Sequence, residues 1–220
     1  MGGSLLADEE FRATIFHVID FEATTPRGFR PEPIEVAVIS LTLRGTGLAE
    51  TARFTELMCP PGHAPVGPLD TSQTGITPQM VATVPTAAEV LAGLDTWVVK
   101  PGPRLLVAHH APTEAGILYD YRKYCPQLAA TDLLDTVRLS RVLYPDLPSH
   151  ALDVVRDHLK IPPPPNRHRA LPDTELTAQI FQHLMEEGSR AGTWSSLQQV
   201  RKLGGYKAKA NQPHQEALFE

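Results

Sequence analysis

The hydrophobic pattern of the chain starts with a nearly continuous apolar run over residues 14–24, Thr-Ile-Phe-His-Val-Ile-Asp-Phe-Glu-Ala-Thr. Its β-branched and aromatic residues predict a buried strand. A second run, from Ile34 to Leu43, leads through Gly45 and Gly47 into a third, from about Glu50 to Met58. The glycines favour a hairpin turn, so the three runs predict three consecutive antiparallel strands.

The rest of the chain alternates short apolar runs with helical periodicity. A long loop, Cys59 to Asp70, is followed by Thr74-Gly-Ile-Thr-Pro, which introduces a short helix. Arg104 to Ala108 is predicted as a short buried strand, and Leu133-Leu-Asp-Thr precedes a later helix. Longer helices are predicted over 86–99, from about 109 to Cys125, over 137–143 and 151–159, and from the segment 166–173 to about Met185. This order of elements is typical of an α/β fold.

Composition favours a single globular domain. The chain has 220 residues, of which 42% are hydrophobic and 20% charged. No apolar run reaches the roughly 20 residues of a membrane span, and residues 1–10 lack a targeting pattern, so we expect a cytoplasmic protein. Cys59 and Cys125 are not in a Cys-x-x-Cys spacing, which favours reduced thiols, although a single bridge stays open.

The formal net charge of −5 argues against a protein that coats nucleic acid through bulk electrostatics. An enzyme that meets phosphate through bound metal does not need a basic surface. The charge therefore excludes one class of nucleic-acid binder and leaves nucleases open.

Asp20 and Glu22 end the first apolar run at a spacing of two residues. A strand places such a pair on one face, where the carboxylates repel each other and lose hydration. A divalent cation would compensate both charges. The alternative is a strand that simply ends in a polar turn.

Further carboxylates follow in the chain. Glu114 lies in the first turn of the helix after the strand that ends at Ala108, where its charge would suit the positive end of the helix. His168 and Asp173 lie five residues apart at a junction between loop and helix, so both can face one cavity. Each has a structural alternative, a helix-start acid for Glu114 and a packing role for the histidine.

Together these segments resemble a known family. Asp20-x-Glu22, Val-Ala-His-His-Ala-Pro-Thr-Glu114 and His168-Arg-Ala-Leu-Pro-Asp173 are similar to the three motifs of the DEDD, or DnaQ-like, 3′–5′ exonuclease superfamily, in its histidine-containing (DEDDh) branch. The resemblance covers residues 14–187. It extends to Ile34-Glu35-Val-Ala-Val, Thr74-Gly-Ile-Thr and Leu134-Asp135-Thr136.

The resemblance implies a ribonuclease-H-like α/β fold, with a mixed five-stranded sheet whose first three strands are antiparallel, flanked by helices. Residues 1–203 would form one exonuclease-like domain, and residues 204–220 a flexible C-terminal tail. Phe21, Thr24, Ile76 and His110 are the candidates for substrate contact, and Phe29 is a further stacking candidate.

The implied activity is a metal-dependent hydrolysis that releases nucleoside monophosphates from 3′ ends, with DNA favoured over RNA. Two Mg²⁺ or Mn²⁺ ions about 4 Å apart would neutralise the phosphodiester, generate the nucleophile and stabilise the leaving oxygen. Asp20, Glu22 and Asp173 would hold the metals, with Glu114 as a fourth acid acting through water. His168 would accept the proton of the attacking water.

The second motif departs from the family pattern His-Asn-Ala-x-Phe-Asp. This chain has His110, Thr113 and Glu114 in place of the asparagine, phenylalanine and aspartate. A catalytically weakened nucleic-acid-binding or scaffold protein of the same fold is therefore one alternative, and an exoribonuclease is another. His109 and His110 are candidates for an additional nitrogen ligand to a metal, but the favoured interpretation is that they support the site or pack against it.

The last residues contain two large apolar side chains in a polar segment. Gln215, Leu218 and Phe219 resemble the short peptide by which bacterial replication and repair proteins bind the sliding clamp. This predicts a sliding-clamp partner and a role in DNA repair or replication. The alternative is that the tail folds back on its own domain.

Overall fold

The computed structural model of the protein describes residues 4–164 and 168–212. The predicted clamp-binding residues Gln215, Leu218 and Phe219 lie outside these ranges. Within them the chain forms one mixed sheet with helices on both faces, as predicted.

The sheet has six strands in the order β3-β2-β1-β4-β5-β6, where five were predicted. The additional strand, β6, has only two residues and pairs antiparallel with β5. The first three strands are antiparallel, whereas β4 runs parallel to β1 and β5 parallel to β4. The strands are β1 Ile15–Thr24, β2 Glu32–Arg44, β3 Gly47–Leu57, β4 Arg104–Ala108, β5 Leu133–Asp135 and β6 Gly205–Tyr206.

Ten α-helices are assigned in the described residues, together with 3-10 turns at Leu5–Ala7 and Lys209–Asn211. None of these helices is both long enough and apolar enough to be a membrane-span candidate. Their bounds are α1 Glu9–Ala13, α2 Pro68–Thr74, α3 Pro78–Val81, α4 Ala87–Val98, α5 Pro112–Asp120, α6 Pro126–Ala129, α7 Thr136–Leu143, α8 Leu152–His158, α9 Ala170–Arg190 and α10 Leu197–Gly204.

Strand β1 is buried on both faces because it lies in the middle of the sheet. Phe16 and Val18 point into the core formed with α9, and Ile19 and Phe21 into the core formed with α4 and α5. Successive side chains of a strand alternate between faces, so Asp20 shares the face of Phe16 and Val18. The alternation therefore directs the acidic end of β1 toward α9.

The segment after α10 is ordered further than predicted. Residues 205–206 form β6, the backbone N–H of Ala208 donates to Asp132 at 3.0 Å, and Asn211 donates to the carbonyl of Ala130 at 2.8 Å. These contacts fix the chain to the edge of β5. The prediction of a flexible tail from residue 204 is therefore wrong for residues 205–212, because partners distant in sequence anchor this segment.

Candidate active site

Three carboxylates meet where β1 ends and α9 begins. Side-chain oxygens of Asp20, Glu22 and Asp173 lie within 4.8 Å of one another, and Asp173 is buried. Asp20 and Glu22 come from one face of β1, and Asp173 from the first turn of α9. The structure thus brings together three of the four acids predicted from the sequence.

Glu35 holds the start of α9 against the sheet. It lies opposite Glu22 in the pairing of β1 with β2, and it is buried. Its carboxylate accepts bonds from Arg169 Nε at 2.9 Å and Nη2 at 2.5 Å, and from the backbone N–H of Ala170 at 2.9 Å. This two-pronged ion pair fixes the entry of the helix that carries Asp173.

Arg169 also brings positive charge to the acidic cluster. The bond to Glu35 raises the pKa of its guanidinium, and the charge of Glu22 raises it further. Arg169 therefore stays positively charged next to Glu22, which is one of the three clustered carboxylates.

Glu114 is placed differently from the other three acids. It lies in the first turn of α5 with 4% of its surface exposed, and it is not among the oxygens that cluster within 4.8 Å. Its Oε2 has no hydrogen-bond partner in the described part of the chain. Burial, followed by the nearby charge of Asp135, raises its pKa to about 8, so the metal-free side chain is mostly protonated at pH 7.

Asp135 organises the turn before α5. Its Oδ1 accepts the backbone N–H of His110 at 3.2 Å and that of Val137 at 2.9 Å. His110 has a φ of 78°, a left-handed conformation that is costly for a residue with a side chain. Its exposed ring contacts Thr113 Oγ1 at 3.0 Å. Two residues of the altered second motif thus bond to each other.

His109 packs against the start of α7 and the loop before α8. Its Nδ1 lies 2.8 Å from Thr136 Oγ1, and its Nε2 lies 2.9 Å from the carbonyl oxygen of His150. With both ring nitrogens engaged by protein atoms, this histidine supports the turn and is not arranged as a metal ligand, in line with the sequence interpretation.

His168 lies on the approach to α9 and is exposed. Its φ of 62° again falls in the left-handed region. A backbone conformation that costs of the order of 1 kcal/mol or more persists where the surroundings impose it, and such conformations cluster at functional sites. The structure thus leaves the imidazole of His168 accessible, next to the ion-paired Arg169.

The predicted substrate contacts are mostly buried. Thr24 and Ile76 are 1% and 0% exposed, Ile76 among apolar residues that include Ile34 and Val66, and Phe21 packs against the α4 and α5 side of the sheet. Their side chains line no open surface in this structure, so it gives no support to direct substrate contact. His110 is the exposed member of the predicted set.

The chemistry of the acidic cluster suits a hard divalent cation. Carboxylate oxygens are the ligands that Mg²⁺ and Mn²⁺ prefer, and three of them within 4.8 Å would repel one another strongly without a positive charge between them. Asp20, Glu22 and Asp173 therefore fit a metal site. Glu114 is buried and is not part of this three-carboxylate cluster.

A comparison with protein families identifies the class of protein that contains this site. A family model described as an exonuclease, RNase_T, matches residues 17–181, which is most of the chain and includes all four acids and His168. The chain belongs to this exonuclease family. The match places its acidic cluster, its buried Glu114 and its ion-paired helix start within an exonuclease domain.

Several curated proteins are similar to this exonuclease domain. The DNA polymerase III PolC-type of Oceanobacillus iheyensis is 32% identical over 181 residues, covering 82% of this chain and 12% of that protein. The DNA polymerase III subunit epsilon-like protein of Rhodobacter capsulatus is 32% identical over 92% of this chain and 29% of its own length. The chain thus spans less than a third of these two relatives. For the DNA polymerase III subunit epsilon of Aquifex aeolicus, 32% identity covers 78% of this chain and 81% of that protein.

Solved structures share the fold. The nuclease domain of 3′hExo, a DEDDh family member bound to rAMP, superposes with a TM-score of 0.69 at 22% identity over 83% of this chain and 96% of that one. Exonuclease X in complex with duplex DNA gives a TM-score of 0.63 at 22% identity, over 86% and 99%. These structures confirm the predicted ribonuclease-H-like α/β fold. The family model and the epsilon relatives confirm the predicted membership of the DnaQ-like exonuclease superfamily.

Sequence reasoning missed the role of two residues. In the sequence analysis Glu35 and Arg169 stand only inside the quoted motif segments, whereas the structure joins them as an ion pair across 134 positions. A buried acid in an apolar strand and an arginine between two site residues are the signals that could have suggested a pair.

Proposed function

We propose that the protein is a metal-dependent 3′–5′ exonuclease of the DEDDh branch that releases nucleoside monophosphates from the 3′ ends of single-stranded DNA. The observation that carries this proposal is the convergence of Asp20, Glu22 and Asp173 within 4.8 Å. Membership of the exonuclease family gives that cluster its context.

Asp20, Glu22 and Asp173 would hold two Mg²⁺ or Mn²⁺ ions, with Glu114 as a fourth, water-mediated acid. Such ions, when bound, supply a nucleophile near neutral pH and stabilise the charge of the leaving oxygen. The chain itself contributes the geometry, because Glu35 and Arg169 fix the helix start that carries Asp173.

His168 is proposed to accept the proton of the attacking water. Its exposed ring directly precedes Arg169 and the start of α9, the helix that carries Asp173, so it can approach a substrate at the cluster. A neutral imidazole can accept a proton at physiological pH, which suits it to this transfer.

Support for DNA comes from the relatives. Three of the similar curated proteins are named as DNA polymerase III proteins, and two of the similar structures are titled as complexes with duplex DNA and with a dT13 oligonucleotide. A second candidate, exoribonuclease activity, is favoured by the structures of a 3′-exonuclease with a histone mRNA stem-loop and with rAMP.

The test is digestion of matched single-stranded DNA, single-stranded RNA and duplex DNA that carry a 5′ label, with Mg²⁺ or Mn²⁺. We expect a ladder that shortens from the 3′ end, fastest on single-stranded DNA. Faster digestion of RNA would favour the exoribonuclease. Binding without shortening of any substrate would favour the scaffold alternative that the changes at His110, Thr113 and Glu114 raise.

A further inference from the structure

An exposed aromatic and basic surface lies beside the end of β1 and contains none of the three clustered carboxylates. We propose that this surface binds the single-stranded DNA that lies 5′ of the nucleotide being removed. We call it the upstream strip and define it by a chain of side chains in contact: Phe29, His63, Glu32, Tyr121 and Tyr124.

The contacts of the upstream strip are continuous. The rings of Phe29 and His63 lie 4.9 Å apart, and His63 Nε2 lies 3.3 Å from one carboxylate oxygen of Glu32. The other oxygen of Glu32 accepts the hydroxyl of Tyr121 at 2.6 Å, and the Tyr121 ring lies 6.4 Å from that of Tyr124. The strip therefore joins the loop after β1 to the end of α5.

Both ends of the strip expose aromatic rings. Phe29 is 60% exposed and Tyr124 is 52% exposed, and in the part of the chain that the structure describes they are the aromatic members of the exposed large hydrophobic side chains. Phe29 keeps most of its apolar side chain in water even though its ring contacts that of His63. Two such faces, joined by further rings, provide stacking surfaces for unpaired bases.

The charge of the strip complements a phosphate backbone. Arg30 is ion-paired with Asp120 at the end of α5, which ties the loop to the helix. Exposed cations precede and follow the exposed rings in the sequence, whereas the acids Glu32 and Asp120 are both engaged in bonds within this region. The cations are Arg27, Arg30, Arg122 and Lys123. In a chain with a formal net charge of −5, this is a local basic surface.

The strip begins at the same end of β1 as the acidic cluster. Glu32 pairs with Thr24, two positions beyond Glu22 on β1, or about 7 Å along the strand. Phe29 lies seven residues beyond Glu22 and hence within about 25 Å of it. Stacked nucleotides advance about 3.4 Å each, so roughly two to seven nucleotides span this distance.

Single-stranded DNA is the occupant that these features fit. Stacking on exposed rings needs bases that are not already stacked in a duplex, and neighbouring guanidinium and ammonium groups neutralise the phosphates between them. The choice of DNA over RNA as the bound strand rests on the proposed function. The position of the strip relative to the cluster is independent of that function.

The test is the dependence of kcat/KM on the length of oligo-dT, from two to about ten nucleotides. For the wild type kcat/KM should rise with length and reach a plateau. Phe29→Leu and Tyr124→Leu, which keep an apolar side chain but remove the ring, should each lower the plateau by about 5- to 50-fold and leave cleavage of the dinucleotide unchanged. Phe29→Trp should keep the plateau, and Val142→Ala, at an exposed site on α7, is the control.

A binding measurement separates failure of this inference from failure of the proposed function. In the presence of a chelator, Phe29→Leu should weaken binding of labelled dT10 even if the protein cleaves nothing. Replacing Arg122 and Lys123 by Gln should reduce the slope of log Kd against log salt concentration by about 0.7 for each lost phosphate contact.

Three results would overturn the proposal. The first is that both ring variants keep the wild-type dependence of kcat/KM on length and the wild-type affinity for dT10. The second is that kcat/KM falls equally on the dinucleotide and on dT10. The third is that the ring variants lose kcat/KM on oligo-U but not on oligo-dT. The first and second show that the rings do not contact the upstream strand, and the third that the strand is not DNA.

Discussion

At the scale of single residues, two buried ionisable side chains give the fold opposite dependences on pH. His17 lies in the middle of β1 with Nδ1 2.9 Å from Ser40 Oγ and, among the described residues, no partner for Nε2. Burial, with smaller contributions from Lys100 and Arg104, lowers its pKa from 6.5 to about 4. Because the unfolded chain binds this proton more tightly, the contribution of His17 to stability is lost as the pH falls from about 6.5 toward 4.

Glu114 acts in the other direction. Its folded-state pKa of about 8 exceeds the ordinary value of 4.5, so the folded protein binds this proton more tightly than the unfolded chain. Its contribution is present at low pH and is lost as the pH rises through 8. Between pH 5 and 7 the effects of His17 and Glu114 on the free energy of unfolding therefore oppose each other.

Single substitutions should separate these two effects. Relative to the wild type, the metal-free His17→Gln protein should gain about 2 kcal/mol in free energy of unfolding between pH 7 and pH 5, and Glu114→Gln should lose about 2 kcal/mol. Urea unfolding at the two pH values, with a chelator present, measures both. If the free energy of unfolding of both variants depended on pH as it does in the wild type, the pKa values of His17 and Glu114 would not be shifted in the folded protein.

Glu114 stands where the family pattern has the shorter aspartate, and this leads to a prediction for activity. If this residue is the fourth acid, Glu114→Gln should lower kcat/KM on single-stranded DNA by at least about 100-fold, because the supporting charge is lost, while Glu114→Asp keeps the charge and should retain most activity. Steady-state cleavage of one labelled oligonucleotide by both variants is the measurement. Full activity of Glu114→Gln would assign the fourth charge to another group.

At the scale of elements, α9 packs closely against Trp194 at Gly188. A Cβ on Gly188 would lie 2.0 Å from two carbons of the Trp194 ring, which is fully buried. The C-terminal end of α9 therefore needs a residue without a side chain. The opposite end of the same helix carries Asp173.

Gly188→Ala should lower the free energy of unfolding by about 3 kcal/mol, because the added methyl group would overlap the buried Trp194 ring. Gly93→Ala is the matched control. Gly93 is exposed within α4, its Cβ would meet no atom within 4 Å, and alanine should add about 0.5–1 kcal/mol there. Equal effects of the two substitutions in chemical denaturation would contradict this packing.

Element by element, the sequence predicts best where the local pattern decides the structure. The predicted strand 104–108 and the helix over 86–99 are confirmed because apolar periodicity and a Thr86–Glu89 capping box define them locally. By contrast, α10 and β6 were not predicted. Strand β6 exists only because Gly205 and Tyr206 pair with Leu134 and Leu133, a contact that no local pattern encodes.

The same distinction applies to the site. Asp20 and Glu22 were predicted to share a face because a strand alternates, and Asp173 joins them as the motif resemblance implied. The clamp of Glu35 on Arg169 and the exposed rings of the upstream strip depend on how distant loops meet. Such contacts follow from the tertiary fold and not from spacing along the chain.

At the scale of the whole molecule, the exonuclease family match extends over residues 17–181 and the described structure continues to Gln212. The clamp-binding prediction for Gln215, Leu218 and Phe219 rests on the sequence alone and stays a prediction.

The central claim is that Asp20, Glu22 and Asp173 form one metal-dependent catalytic site. The most direct test is the release of mononucleotide from 3′-labelled single-stranded DNA as a function of Mg²⁺ concentration, for the wild type, Asp173→Asn and the exposed-site control Asp146→Asn. We predict that a chelator abolishes release by the wild type, that Asp173→Asn lowers it at least about 100-fold, and that Asp146→Asn leaves it unchanged. Undiminished release by a correctly folded Asp173→Asn protein, or release that persists in the chelator, would contradict the account.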